Sequence, residues 1–237
     1  FDDAQVLIDR PAAGTACDMG VSMKGGVNAG SHNHDDIGSY VVVVGDRCVI
    51  LDPGSETYTS RTFGPHRFDS KLLNSFGHDV PRVAGQLQRQ GAGAKARVIA
   101  TQFGEDEDRY TIDMKAAYAV PSLQSLTRAW TYSRGGAGVL TVEDHATFSS
   151  PEDFETALIT LGTWKAAAPD RLVITDGKGK DVQSVAVTID ASGPFTVRAE
   201  QIHEKAPVTP TRIAIALKDK SKVGRITLTI RPLASGG

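Results

Sequence analysis

The sequence predicts an all-β fold, a large antiparallel two-sheet β-sandwich with little helix. Three observations predict it. β-branched and aromatic runs recur at about ten-residue spacing, with Gly and Pro between them. Several runs alternate apolar and polar residues, the period of a half-buried strand. No stretch keeps a 3.6-residue period for three turns, and the strand–helix rhythm of a parallel sheet is missing.

The elements follow in order. Residues 37–44 read as a first strand, and 47–51 pair with its end through a hairpin at Gly45-Asp46. Further strands are predicted over 97–101, 110–115, 128–132, 139–143, 154–161, 171–175, 182–189, 195–199, 212–217 and 225–230. Ile213, Ile215 and Leu217 fall on one face, as do Ile226, Leu228 and Ile230. Short helical turns are expected at 70–76 and 121–126. Gly135, Gly136 and Gly138 mark one hairpin loop, residues 177–180 a hairpin tip, and 206–210 a loop. Trp130 and Trp164 read as core. No repeat or domain boundary interrupts the pattern, so residues 1–237 are taken as one all-β unit.

Composition narrows the function. Against 26 Lys+Arg stand 28 Asp+Glu, so a nucleic-acid binder working by bulk positive charge is excluded. The apolar runs are too short to span a bilayer as helices. Two cysteines, Cys17 and Cys48, cannot build a disulfide scaffold. Two free thiols are expected, although one bridge is open, and Cys48 reads as a small buried hydrophobe. Phe1-Asp2-Asp3 reads as the middle of a longer chain and Gly236-Gly237 as an end, so a fragment is expected.

Chemistry concentrates early. Four of the six histidines lie between residues 32 and 78. The densest stretch runs Gly30-Ser31-His32-Asn33-His34-Asp35-Asp36, behind Gly25 and Gly26. If the first strand began this early, His32 and His34, two residues apart, would share one face. Asp52 returns after the hairpin, and His78 precedes a strand-like run. Two imidazoles and a carboxylate make a zinc set with a fourth position for water. The same residues also fit a hydrogen-bonded cluster without metal. The segment 56–63 is polar, aromatic and basic. Tyr58 is a stacking or hydrogen-bonding candidate there, and Arg61 or Arg67 can pair with a substrate carboxylate. His66, in a turn, reads as a surface residue or a substrate contact, and His145 and His203 read as surface or structural residues. Walker-type phosphate loops and Gly-x-Ser-x-Gly elbows are absent from the sequence.

Gly-Ser-His-Asn-His-Asp-Asp-Ile-Gly-Ser over 30–39, Leu-Asp-Pro-Gly over 51–54, the 58–63 stretch and Asn-Ser-Phe-Gly-His-Asp-Val-Pro over 74–81 occur in this order. Together they resemble the C-terminal domain of the heparinase II/III-like polysaccharide lyases, most strongly over 24–85. The resemblance implies a β-sandwich that works with an N-terminal α/α toroid outside this chain. It implies β-elimination on uronic-acid polysaccharides, glycosaminoglycan or alginate. It places His32 at the catalytic centre and a single, structural zinc ion on His34, Asp52 and His78. The catalytic tyrosine and the residue that neutralises the uronate carboxylate would belong to the toroid. The expected partners are an acidic polysaccharide or oligosaccharide and that missing toroid, with no nucleic acid and no membrane. The expected location is the periplasm or the exterior, and the isolated chain is expected to be folded but inactive. Two other functional readings compete, beside the blander one of a structural β-domain with no site. One is a cupin-like jelly-roll metalloenzyme, whose usual Glu after the second His is replaced here by Asp35 and Asp36. The other is a non-catalytic carbohydrate-binding sandwich, for which aromatics at 6% are sparse.

Overall fold

The computed structural model describes residues 1–11 and 13–234; Gly236 and Gly237 lie outside the described residues. Among the described residues, sixteen strands form three antiparallel sheets. β1 (Val6–Asp9), β2 (Met19–Lys24), β3 (Tyr40–Val44) and β4 (Arg47–Ile50) make a four-stranded meander. β5 (Arg82–Val83), β10 (Phe154–Thr160), β14 (Phe195–Gln201) and β15 (Thr211–Leu217) make a second four-stranded sheet, ordered β14-β15-β10-β5. The third sheet has eight strands, ordered β11-β12-β13-β16-β9-β8-β7-β6. Its members are β6 (Arg97–Phe103), β7 (Glu107–Asp113), β8 (Leu123–Ser133), β9 (Val139–Glu152), β11 (Thr163–Ala168), β12 (Arg171–Asp176), β13 (Gln183–Ala191) and β16 (Ser221–Pro232).

The inner faces of all three sheets meet in one apolar core. Met19, Tyr40 and Val42 come from the first sheet, Phe154, Leu158 and Ile213 from the second, and Trp130, Leu140 and Leu228 from the third. The chain is therefore a β-sandwich, with one layer split into two four-stranded sheets. The split layer is bridged where Leu51 N donates to Ile159 O at 3.1 Å. Period-two patterning builds the eight-stranded layer: in β16, Ile226, Leu228 and Ile230 are buried while Arg225, Thr227 and Thr229 are half-buried on the other face. No helix among the described residues is long and apolar enough to cross a membrane.

The structure corrects several expectations. The first long strand after the histidine-rich segment starts at Tyr40, not at residue 37, because Gly38 adopts φ +92° and breaks the extended run. Residues 121–126 are not helical: Leu123 opens β8. Over 70–76 the helical turn is present but short: Asn74 N and Leu73 N both donate to Ser70 O, at 3.0 and 3.1 Å, and the 3-10 turn Ser75–Gly77 follows directly. The thiols are free, but Cys17 is the buried one and Cys48 is exposed. β3 and β4 pair with a register shift at Val42/Val43, and Cys48 falls on the outward face of that edge. β5 answers to the strand-like run expected after His78, whereas β1, β2 and β11 were not assigned as strands.

Candidate metal centre and active-site loop

The 25–39 segment joins β2 to β3 and carries His32, His34, Asp35 and Asp36. Its base is pinned from both sides. Lys24 N donates to Ser39 O at 3.0 Å, and Gly38 N donates back to Lys24 O at 2.8 Å. Above that base the buried Gln88 amide holds both arms of the loop. Its Oε1 accepts from Asn28 Nδ2 at 3.0 Å and Ile37 N at 3.1 Å, and its Nε2 donates to Ile37 O at 2.7 Å. Arg67 Nη2 reaches Asn33 O at 2.9 Å, fixing the peptide between the two histidines.

His34, Asp36, Asp52 and His78 converge. One donor atom from each lies within 4.8 Å of the others. Asp52 leaves the end of β4, and its Oδ1 accepts from Gly54 N at 2.8 Å. His78 follows the 3-10 turn Ser75–Gly77, which Asn74 caps by accepting from Phe76 N at 2.9 Å. The rings of His34 and His78 stand 5.3 Å apart, centre to centre. His78 is fully buried, and neither of its ring nitrogens has a hydrogen-bond partner among the described residues. Its Nδ1 approaches Asp52 Oδ2 at 3.4 Å without hydrogen-bond geometry. A buried imidazole with no partner is costly, and a metal bond is the interaction that would satisfy it. Two imidazoles and two carboxylates suit zinc and also harder divalent ions. The residues fit a metal ion.

The electrostatics are those of a compact charged cluster. Burial alone would push the Asp52 carboxyl up, but the adjoining His78 ring holds it well below the carboxylate range. Burial would likewise lower His78; Asp52, Asp36 and Asp79 together outweigh it and the net direction is upward. His34 is lowered, by burial first and then by His78. Asp35 is pushed up to about 7, by burial and then by neighbouring Asp36. Asp36 binds Lys24 Nζ through both oxygens at 2.6 Å.

His32 points to a different set of partners. Its backbone is left-handed at φ +61°, an uncommon conformation for a non-glycine residue. Its ring is exposed and lies nearly parallel to Tyr58, with centroids 5.9 Å apart and Nδ1 3.3 Å from the phenol oxygen. Phe63 closes the group edge-on, 6.3 Å from His32 and 5.3 Å from Tyr58. Tyr58 is 48% and Phe63 68% exposed, so this is an open aromatic platform and not core.

The predicted residues therefore divide. His34, Asp52 and His78 come together, and Asp36 joins them. His32 meets Tyr58 instead of sharing a strand face with His34, because both histidines lie in the loop. Arg61 is held by Glu56 and by Glu204 at 3.0 Å. Arg67 is spent on the carbonyls of Thr62 and Asn33, at 3.0 and 2.9 Å. Asp36, Phe63 and Gln88 were missed as site residues. Asp36 stands two residues beyond His34 and Phe63 closes the 58–63 stretch, which were the available signals; Gln88 had none.

Arg128 supports the centre from behind. It is fully buried and forks onto Asp144, with Nε–Oδ1 and Nη2–Oδ2 both at 2.6 Å. Its Nη1 donates to Gly38 O at 2.5 Å and to Asp79 O. One guanidinium thus ties the end of the histidine loop to the residue after His78.

Residues 15–217 match the family model described as Heparinase II/III-like, C-terminal. The chain belongs to this family. Its fold is similar to that of a solved heparinase III, with a TM-score of 0.77 at 14% identity over 99% of this chain and 36% of that one. It is also similar to heparan sulfate lyase HepC from Pedobacter heparinus, with a TM-score of 0.71 at 14% identity over 92% and 34%. The chain spans about a third of the length of these structures. Identities this low speak for the fold. No curated protein matches the sequence. In this heparinase-like domain the ligand-type side chains sit on loops at strand ends, whereas the cupin-like reading needs them on strands.

Proposed function

We propose that this heparinase II/III-like domain is the C-terminal part of a polysaccharide lyase that cleaves uronic-acid-containing glycans by β-elimination. The observation that carries the reading is His32: an exposed imidazole, backbone-strained, stacked with Tyr58, on a loop anchored by a metal-type cluster. In β-elimination a base takes the C5 proton, and the electron pair left on C5 forms the C4–C5 double bond as the C4–O4 bond breaks; O4 departs with that bond's pair and receives a proton. Such steps need a proton acceptor and donor near neutral pH, and imidazole serves well. His32 takes or relays the C5 proton, or partners the group that does. Its Nδ1 is engaged by the Tyr58 hydroxyl, which leaves Nε2 for substrate. Tyr58 and Phe63 give a sugar ring an apolar face to lie against. Arg67 braces the Asn33 peptide, and Arg61 holds the 56–63 loop through Glu56 and Glu204. Zinc on His34, Asp36, Asp52 and His78 would serve structurally, fixing the loop that aims His32.

The remaining catalytic groups, a tyrosine and a residue neutralising the uronate carboxylate, belong in this reading to an α/α toroid preceding the domain. The same reading puts the enzyme in the periplasm or outside the cell. The test is lyase activity of the full-length enzyme on uronate polymers, followed by the ultraviolet absorbance of the unsaturated product. His32→Ala is expected to lose at least about a hundredfold in kcat, as for loss of a general acid–base group. The 237-residue chain alone is expected to give no product. A His32→Ala enzyme with near-normal kcat would overturn the assignment.

A further inference from the structure

Pairing register places Arg82, Glu155, Arg198 and Arg212 on one face of the sheet β14-β15-β10-β5. Arg82 lies opposite Glu155, Glu155 opposite Ala216, Ala214 opposite both Ala157 and Arg198, and Arg212 opposite Glu200. The alternate residues Val83, Phe154, Leu158, Ile213 and Ile215 belong to the core, so the arginine face is the one turned away from it; its end at Arg212 and Ile159 is covered by Phe76 and Leu72, while the end at Arg82 and Arg198 is open. Short alanines between the long side chains leave two adjoining hollows of about 120 and 260 Å³, both lined by Arg82, Glu155 and Arg198.

The charges there do not balance. Arg212 Nη2 binds Glu155 Oε1 at 2.6 Å, and Arg198 Nη2 approaches Glu155 Oε2 at 3.4 Å. Glu200 is paired with Lys71 at 3.2 Å, and Asp153 with Lys220 at 3.3 Å. Glu155 is therefore left alone against three guanidiniums. Arg212 is only 4% exposed, and its buried Nε has no partner among the described residues. Phe76 carries a cation on its ring twice, Arg212 and Lys71, each 4.6 Å from the centroid. Partly buried positive charge with donors to spare is the condition an oxyanion relieves, and guanidinium forks match planar carboxylates and sulfates.

We propose that this arginine face is an oxyanion-binding site that takes a sulfate or carboxylate group of an acidic saccharide. The oxyanion follows from the local chemistry; its being carried on a saccharide rests on the proposed lyase reading. The site would hold the glycan through charge, not through the His32 platform.

The test is calorimetric titration of the 237-residue chain with three probes: a sulfated uronate disaccharide, an unsulfated uronate disaccharide and inorganic sulfate. Arg82→Ala and Arg198→Ala alter partly exposed side chains and are expected to melt near the wild-type temperature. Each is expected to weaken disaccharide binding by about tenfold, the scale of one charge-assisted hydrogen bond, and to flatten its salt dependence. The better disaccharide identifies which oxyanion the site reads. Absence of disaccharide binding, binding untouched by both substitutions, or binding of inorganic sulfate alone would each overturn the proposal. The readout is binding and not turnover. A failed lyase assignment with intact, arginine-dependent binding would thus be told apart from failure of this site.

Discussion

Asp9 is a residue whose burial has a direct consequence for stability. It is buried beside Asp108 and Arg134, and its carboxyl is pushed up to about 7 from an ordinary 3.8. Burial is the main cause, followed by the hydrogen bond and charge of Asp108; Arg134 opposes them. The folded state therefore keeps a proton on Asp9 across the window from about pH 4 to about 7, where the unfolded chain has lost it. The stabilisation from this proton is complete below that window and lost as pH rises through it. Asp9→Asn keeps a donor and removes the titration. Thermal melts are expected to show the variant gaining on the wild type from pH 4 to pH 8, with no such trend if Asp9 ionises freely. At this scale the sequence was partly readable. His34, Asp52 and His78 were marked by residue type and by family motif. Asp36 was not, since an aspartate beside another aspartate looks like a solvated pair until Lys24 and the cluster are in place. Arg128 was unreadable for the same reason: a lone arginine in a strand does not announce that it is fully buried and forked onto the Asp144 it faces across β8 and β9.

The strands that alternate cleanly were legible as elements, because one solvated face imposes period two. Of those not assigned, β2 does alternate, with Met19, Val21 and Met23 buried against Gly20, Ser22 and Lys24, but it is built largely on methionine and glycine instead of β-branched residues; β1 and β11 lack the contrast. β1 has only four residues, and β11 reads Thr-Trp-Lys-Ala-Ala-Ala, where alanine carries no strand preference. The first strand was set to start at residue 37, and a shared face for His32 and His34 depended on its starting earlier still; Gly38 and the left-handed His32 interrupt extension, and neither departure is forced by local propensity. The short 3-10 turn Ser75–Gly77 bears most directly on the centre, since it delivers His78. A Cβ on Gly77 would sit 2.3 Å from Lys71 O, a backbone atom that cannot step aside cheaply. Gly77→Ala must therefore displace the turn and with it the imidazole. Metal affinity, measured by competition with a chromophoric chelator, is expected to fall by about ten- to a hundredfold, the usual effect of disturbing a ligand's support. An unchanged affinity would mean that the turn does not position His78.

Across the whole molecule, one core runs through both layers of the sandwich. The split layer has no separate centre of its own beyond a small cluster around Leu51, Leu72, Ile159 and Ile202. The chain is expected to unfold in a single cooperative transition, with calorimetric and van't Hoff enthalpies in agreement; two resolved transitions would show that the sheets melt separately. The same arrangement explains why four motifs spread over residues 30–81 identify one place. The loop after β2, the end of β4, the 56–63 segment and the turn before β5 are brought together around the histidines, and Arg128 ties two of them to the eight-stranded layer. The central claim is that this convergence holds a metal ion that braces the His32 loop. The most direct measurement is elemental analysis of the purified chain, wild type and His34→Ala. About one zinc per chain in the wild type, lost in a folded His34→Ala variant, is the predicted result. A folded wild type that binds no metal when zinc is supplied, or a His34→Ala variant that binds it equally well, would contradict the account.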